Sequence, residues 1–240
     1  MNLINGNPLL ADAKLVSDHS SATMTVSGTV RKTTILFAIL LFAGLTSWRL
    51  ISDNPALTAG LMIGGSIGAV IAAMVGIFAP KTGIISAPLY SLFKGLALGA
   101  VSLIANTQYP GVAAQAIVLT LGVLFVMLGM YGSGILRASQ TLVKVIGIGF
   151  SAIFIYYIVA FFVGPVSYLH DNSTTGILFS LAIVVLAALS FILDFDQVER
   201  GEQRGAPKHM EWYSALSIMI TLVWLYINIL RLLSKLRSRR

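Results

Sequence analysis

The sequence predicts an all-α membrane protein, a polytopic bundle of seven transmembrane helices. Its composition is the first indication. Only 10% of the 240 residues are charged and 57% are hydrophobic, whereas a water-soluble domain is about 25% charged and about 45–50% apolar. The second indication is that the apolar residues form separate runs, most of them close to the roughly 20 residues that a helix needs to cross a bilayer. The lipid bilayer is therefore the expected surrounding of almost the whole chain.

The apolar runs follow one another along the chain and are separated by short polar links. They occupy residues 33–48, 56–78, 84–105, 112–131, 145–164, 177–193 and 212–233. None has the alternating pattern of a membrane β-strand, and open sheet edges are not viable in lipid, so each run predicts a helix. The longest hydrophilic link, residues 194–211, contains Gly205-Ala206-Pro207, which predicts that the sixth helix ends before this tripeptide.

The expected organisation is a polar cytoplasmic tail over residues 1–32, a membrane domain over residues 33–233 and a basic tail over residues 234–240. Cytoplasmic segments of membrane proteins carry an excess of Lys and Arg. With the N-terminus in the cytoplasm, the external links contain only Arg49. The cytoplasmic segments then contain Lys14, Arg31, Lys32, Lys81, Arg137, Lys144, Arg200, Arg204 and Lys208. This distribution favours a cytoplasmic N-terminus.

The C-terminal tail does not fit this distribution. If the seventh run spans the membrane, several cations lie outside: Arg231, Lys235, Arg237, Arg239 and Arg240. Two alternatives follow, because C-terminal charge can reorient a segment. Either the seventh helix spans fully against the charge rule, or it is re-entrant and leaves six full spans.

Several classes of function lack the residues that they need. The chain has no Cys, which excludes disulfides, thiolate metal sites and Cys nucleophiles. Its three His residues, His19, His170 and His209, lie in different polar segments without an H-E-x-x-H spacing, so we expect neither a metal nor a cofactor. The only G-x-S-x-G match, residues 64–68, lies inside an apolar run and not at a strand-to-helix turn, so it is no nucleophile elbow and we expect no enzyme activity. The net charge of +7 is attributed to membrane topology and not to nucleic acid.

Long strings in the C-terminal part carry a family resemblance. Residues 194–236 read DFDQVERGEQRGAPKHMEWYSALSIMITLVWLYINILRLLSKL, and residues 24–48 read MTVSGTVRKTTILFAILLFAGLTSW. Both resemble the bacterial branch of the Bax inhibitor-1 family, and residues 90–102 and 110–129 fit its middle. The resemblance implies a bacterial inner-membrane protein in which six helices surround a central C-terminal helix. It also implies one of three roles: a pH-sensitive calcium or other cation leak, a regulator of stress-induced death, or a binding modulator of a membrane protease or stress-response complex.

The resemblance also points to site residues, with departures from the family pattern. In better-studied members, an Asp late in the sixth helix shares a proton with an Asp in the seventh helix. Asp194 matches the first of these positions, but Thr221 stands at the second. Lys94 and Asn228 also stand where an acidic residue is expected in this branch. A carboxylate-lined cation path is therefore weakened, and we expect any leak to be weaker than in relatives with both Asp residues.

Lys94 is expected about ten residues into the third span, ~15 Å deep in the membrane. A cation at that depth costs roughly 2.5–3.5 kcal/mol on insertion scales. Lys94 should therefore face a cavity or a carboxylate in the bundle interior; the alternative is snorkelling to the interface. A cavity shared by Lys94, Asp194 and Thr221 would form an internal polar centre.

The remaining candidates are less specific. Asp194 and Asp196 point about 200° apart on a helix, so only one can face inward. Asp194 is the expected inward residue and Asp196 should meet the basic link, although both could simply mark the membrane boundary. Ser217 and Thr221 form a hydroxyl stripe, for which ordinary interhelical hydrogen bonding is the alternative to a polar cavity. Asn228 is equally open to either interpretation.

Two sets of glycines predict close helix packing through small residues at a spacing of four. Gly60, Gly64 and Gly68 lie in the second span, and Gly95 and Gly99 lie in the third.

Overall fold

The computed structural model describes residues 23–164 and 173–239. Within these ranges, all named secondary-structure elements are helices. Seven long helices follow one another: α1 (Val26–Asp53), α2 (Leu57–Phe78), α3 (Gly83–Gln108), α4 (Val112–Gly132), α5 (Gln140–Val163), α6 (Thr174–Gln203) and α7 (Met210–Ser238). A 3-10 turn, Pro80–Thr82, leads into α3. All seven helices are long and apolar enough to cross a membrane. The predicted all-α fold class with seven helices is confirmed.

Two helices extend well beyond the apolar runs that predicted them. α1 begins at Val26 and not at residue 33, because the side chain of Thr25 caps the helix by accepting a hydrogen bond from the Gly28 amide. Residues 26–32, which the sequence placed in a polar tail, are therefore helical. α6 continues past residue 193 to Gln203. The chain then turns at Gly205, whose φ of 62° is in the left-handed region that glycine favours.

α7 is the central helix of the bundle, as the resemblance implied. It packs against α1, α2, α3, α4 and α6. Of its most apolar stretch of 18 residues, 56% is buried inside the bundle, the largest share among the seven helices. It runs without interruption over 29 residues. A continuous helix of this length favours the full span over the re-entrant alternative.

α5 is the least embedded helix. Only 6% of its most apolar stretch of 18 residues is buried. Among the described helices, α6 is the only one whose backbone lies close to that of α5. Two side chains connect α5 to the central helix. The Phe150 ring stacks on Trp224 of α7 with a centroid separation of 5.0 Å, and Arg231 of α7 donates a hydrogen bond to the Tyr157 hydroxyl over 3.3 Å. α5 therefore lies at the periphery, with most of its surface facing outward.

We call the two ends of the bundle the Val26 end and the Ser238 end. At the Val26 end α1, α3, α5 and α7 begin, and at the Ser238 end α2, α4 and α6 begin. Contacts between helix termini fix this arrangement. For example, Gly83 at the start of α3 meets Trp212 near the start of α7, whereas Arg237 near the end of α7 donates a hydrogen bond to the Pro110 carbonyl before α4.

The close packing predicted for the third span is confirmed. A Cβ atom added at Gly95 or Gly99 would overlap the α1 backbone carbonyls of Leu40 or Gly44, so α1 and α3 approach each other through bare backbone. The Ser47 hydroxyl donates a hydrogen bond to the Leu96 carbonyl across the same contact, over 2.7 Å.

The glycine ridge predicted for the second span is wrong in part. Gly60 and Gly64 face open space, and the α2–α3 contact instead passes through Gly65 and Gly68, which pack against Phe93. The buried face of α2 contains Gly65, Ala69, Ala72 and Gly76. That face is offset by one residue, about 100°, from Gly60 and Gly64. Spacing alone did not identify which glycines face the neighbouring helix.

Candidate functional site

The candidate site is centred on Asp194, in the part of α6 that packs against α7. Asp194 is only 8% exposed. Its Oδ1 atom accepts a hydrogen bond from the Ser217 hydroxyl of α7 over 2.6 Å. The Thr221 hydroxyl, one turn further along α7, also faces the Asp194 carboxylate. The second oxygen, Oδ2, is buried and has no hydrogen-bond partner among the described residues. The structure therefore brings Asp194, Ser217 and Thr221 together and leaves half of the carboxylate unsatisfied.

Asp196 lies on a different side of α6, as the 200° angle predicted. It forms an ion pair with Arg200, one helical turn further along, over 2.7 Å. Arg200 is one of the basic residues that the sequence proposed as its partners. Because Asp196 is already paired at the Val26 end of the bundle, it does not belong to the buried centre around Asp194.

Lys94 is half-buried near the middle of α3. Within residues 23–164 and 173–239, it forms no ion pair, and no hydrogen bond joins it to Asp194 or Thr221. The physical reason is the position of the central helix: α3 and α6 each pack on α7 but not on each other. The expected polar centre of Lys94, Asp194 and Thr221 is therefore not formed. Asp194 and Thr221 meet, and Lys94 remains outside.

Asn228 lies two turns beyond Thr221 on α7 and is 5% exposed. Its Nδ2 atom donates a hydrogen bond to the Trp224 carbonyl of the same helix over 2.8 Å. Ser217, Thr221, Trp224 and Asn228 follow one another at helical spacing and share one face of α7. The polar part of this face is interrupted by Trp224, which is stacked on Phe150 of α5.

A crevice of about 380 Å³, with charged and polar side chains among its lining residues, opens near Asp194 at the Val26 end. Gln197 and Ser214 line it. They lie about one helical turn closer to the Val26 end than Asp194 and Ser217, respectively. The full lining comprises Met24, Asp196, Gln197, Arg200, Gly201, Arg204, Ala206, Met210 and Ser214. The buried carboxylate is thus separated by a single turn of α6 and α7 from an opening that has charged side chains in its wall.

The sequence analysis missed a buried ion pair between α1 and α7. Lys32 pairs with Glu211, and the two residues are 7% and 1% exposed. The amide and the hydroxyl of Thr25 each donate a hydrogen bond to Glu211 over 3.0 Å, and the Trp212 ring lies 5.3 Å from the Lys32 amine. The available signal was the helix cap at Thr25, which starts α1 early enough to carry Lys32 into the bundle.

A second charged cluster joins α4 to α6 at the same end. Tyr131 donates a hydrogen bond to Glu199, and Arg137 pairs with the same carboxylate oxygen over 2.8 Å. The guanidinium of Arg137 also lies over the Tyr131 ring, 4.8 Å from its centre. This cluster is partly exposed, and it ties the end of α4 to the extension of α6 beyond the apolar run.

No cluster of three or more metal-ligating side chains occurs in the parts of the chain that the structure describes. Of the histidines considered above, His19 and His170 lie outside the described residues. The arrangement around Asp194 offers carboxylate and hydroxyl oxygens only, which suits a proton or a hard cation more than a transition metal.

Comparison with protein families adds an independent observation. A family model described as Bax inhibitor 1 like matches residues 7–238, which include Asp194, Thr221 and both of the long strings that carried the resemblance. Comparisons with curated proteins and with solved structures give no significant match. Together with the seven apolar helices, the match shows that the chain is a multi-pass membrane protein belonging to the Bax inhibitor 1 like family.

Proposed function

We propose that the protein is a pH-sensitive cation leak or ion sensor whose responsive group is Asp194. The observation that carries this proposal is the buried carboxylate with only one of its oxygens hydrogen-bonded. An ionised carboxylate held away from water costs free energy unless it is fully hydrogen-bonded or paired with a cation. Binding of a proton or a cation at Oδ2 would remove that cost. The stability of the α6–α7 contact should therefore depend on whether a proton or a cation is bound at Oδ2.

The crevice at the Val26 end supports access to this group. It reaches within one helical turn of Asp194 through Gln197 and Ser214, and an ion would have to cross only that short distance. In the proposed orientation the protein lies in a bacterial inner membrane with its Val26 end on the cytoplasmic side, because most Lys and Arg residues of the links are at the Val26 end. The proton or cation would then arrive from the cytoplasmic side.

An ion that moved beyond Asp194 along α7 would meet two aromatic rings. Beyond Thr221, the polar face of α7 meets the stacked rings of Trp224 and Phe150. Ca²⁺ prefers roughly six to eight oxygen ligands, more than the side chains of Asp194, Ser217 and Thr221 supply. These residues therefore favour transient passage or sensing over a permanent calcium site, and conduction would require the two rings to separate.

A flux measurement with matched variants tests the proposal. The full chain is reconstituted in liposomes, and calcium and monovalent cation flux are recorded over a pH series around neutrality. We expect a flux that changes with pH in the native protein and loses this dependence in Asp194→Asn, which keeps the shape of the side chain but cannot ionise. Glu199→Gln, which likewise removes a carboxylate charge but in an exposed ion pair outside the crevice, should keep the pH dependence. Absence of flux at every pH, or equal behaviour of the two variants, would contradict the proposal.

A second candidate is a membrane-embedded modulator of a membrane protease or stress-response complex. The observation that favours it is α5, which contacts the rest of the bundle sparsely and presents most of its apolar surface outward. A partner helix could pack on this surface without any pore. Crosslinking in native membranes from a position on α5 distinguishes the candidates, since recovery of the protein alone argues against a stable partner.

A further inference from the structure

An apolar cleft of about 440 Å³ lies between α1, α3, α4 and α7, in the half of the bundle nearest the Ser238 end. We name it the α1/α4 cleft. Away from the surface end of the cleft, the polar side chains in its wall are hydrogen-bonded within the protein: Ser102 shares a hydrogen bond with the Tyr226 hydroxyl over 2.7 Å, and the Thr120 hydroxyl donates to the Ala116 carbonyl. The inner part of the cleft is therefore apolar in character, unlike the site around Asp194.

The α1/α4 cleft opens sideways. α1 and α4 form its two edges and both pack on α7, but their backbones do not approach each other. Leu45 on α1 is 66% exposed and Ile117 on α4 is 37% exposed, and both line the cleft. In a membrane, the gap between these edges faces the acyl chains of the bilayer.

The dimensions of the cleft match one leaflet. Its α1 wall runs from Phe37 to Arg49, which is roughly 18 Å along a helix. The hydrocarbon core of a bilayer is about 30 Å thick, so one leaflet supplies roughly 15 Å. A single acyl chain lying alongside α1 would extend from the membrane surface near Arg49 to the middle of the bilayer near Phe37.

Trp48 and Arg49 stand at the surface end of the cleft. Arg49 is exposed, and within the described ranges its guanidinium forms no ion pair, not even with Asp53 one turn further along α1. Trp and Arg commonly lie at the level of the lipid headgroups, and guanidinium groups bind phosphate with paired hydrogen bonds. We propose that the α1/α4 cleft binds one acyl chain of a phospholipid whose phosphate group pairs with Arg49, with a preference for anionic phospholipids.

Quenching of Trp48 fluorescence by lipids with brominated chains tests this proposal, since bromine quenches Trp only at contact distance. The full chain is reconstituted in phosphatidylcholine vesicles, and brominated phosphatidylglycerol or brominated phosphatidylcholine is added in small amounts. The signal that disappears in Trp48→Phe is assigned to Trp48. We expect brominated phosphatidylglycerol to quench this signal about fivefold more effectively, the factor expected for one Arg beside an anionic headgroup.

Matched variants separate headgroup recognition from chain binding. Arg49→Gln should abolish the preference for phosphatidylglycerol, whereas Arg231→Gln, which removes the same charge at the same end outside the cleft, should retain it. Ala114→Phe places a ring in the cleft and should reduce quenching by both lipids, whereas Ala152→Phe on the exposed face of α5 should not.

Three results would overturn the proposal. The first is equal quenching of the native protein by the two lipids, and the second is a preference that persists in Arg49→Gln. The third is quenching of Trp48 by neither lipid, which would show that a partner helix or a second copy covers the cleft.

Discussion

Glu211 and Lys32 illustrate, at the scale of single residues, how a charged side chain in a hydrophilic segment can be buried. The sequence assigned Lys32 to a polar tail and Glu211 to the longest polar link. In the fold, their ion pair lies inside the bundle with two additional donors from Thr25. Gly28 makes room for it, since a Cβ atom there would overlap the Glu211 carboxylate. The pair joins the first helix to the central one.

Removal of one partner should therefore destabilise the protein strongly. Glu211→Gln leaves the Lys32 ammonium buried without a counter-charge, which costs about 3–5 kcal/mol in measured buried pairs. We expect a clearly lower thermal midpoint for the purified protein in detergent. The control is Glu199→Gln, which breaks the more exposed pair with Arg137 and should have a much smaller effect.

A double variant shows whether the effect arises from the pair. Lys32→Met combined with Glu211→Gln removes both charges, so it should be more stable than Glu211→Gln alone. Simple addition of the two single effects would contradict a direct coupling between Lys32 and Glu211.

The candidate site was predictable to the extent that helical geometry determines it. The angle between positions 194 and 196 separates an inward Asp194 from an outward Asp196, and the four-residue spacing of Ser217 and Thr221 gives the facing hydroxyls. Lys94 could not be placed in this way. Whether it reaches Asp194 depends on which helices are neighbours, and the central α7 keeps α3 and α6 apart.

At the scale of helices, hydropathy predicted all seven elements but not their ends or their facing sides. Hydropathy reports the part of a helix that lies in lipid, whereas caps such as Thr25 determine where the helix begins. The glycines make the same point. Gly95 and Gly99 lie against α1, but Gly60 and Gly64 face outward, because the orientation of a helix depends on all of its neighbours.

Alanine substitutions at glycine distinguish packed from open positions. Gly99→Ala places a methyl group against the Gly44 carbonyl of α1, and α1 and α3 would have to separate. Overpacking of this kind costs about 1–3 kcal/mol, so we expect a lower thermal midpoint. Gly64→Ala, with nothing within 4 Å of the added carbon, should leave the midpoint unchanged or raise it, since alanine favours a helix by about 1 kcal/mol. Equal effects of the two substitutions would contradict the α1–α3 contact.

At the scale of the whole molecule, the basic residues at the Ser238 end are the main exception to the charge distribution expected for a cytoplasmic N-terminus. The fold accounts for two of them. Lys235 is buried and donates hydrogen bonds to the Gly176 carbonyl and the Ser180 hydroxyl of α6. Arg237 donates to the Pro110 carbonyl and to Gln115 of α4. These cations bind carbonyl and side-chain oxygens of the bundle, so their positions are set by helix packing as well as by the sidedness of charge.

This arrangement leads to a definite prediction about the C-terminus. Seven full spans place the two termini on opposite sides, so a cytoplasmic N-terminus requires residue 239 to be outside. The chain has no Cys, and Arg239→Cys therefore introduces a single thiol at an exposed position. A membrane-impermeant maleimide added to intact cells should label this thiol, whereas Lys81→Cys, at the Val26 end, should react only after the membrane is opened. If residue 239 is protected and residue 81 is labelled in intact cells, the orientation is inverted and the contacts of Lys235 and Arg237 lie on the cytoplasmic side. If both are protected, α7 does not span the membrane, and its 29-residue helix must be accommodated in some other way.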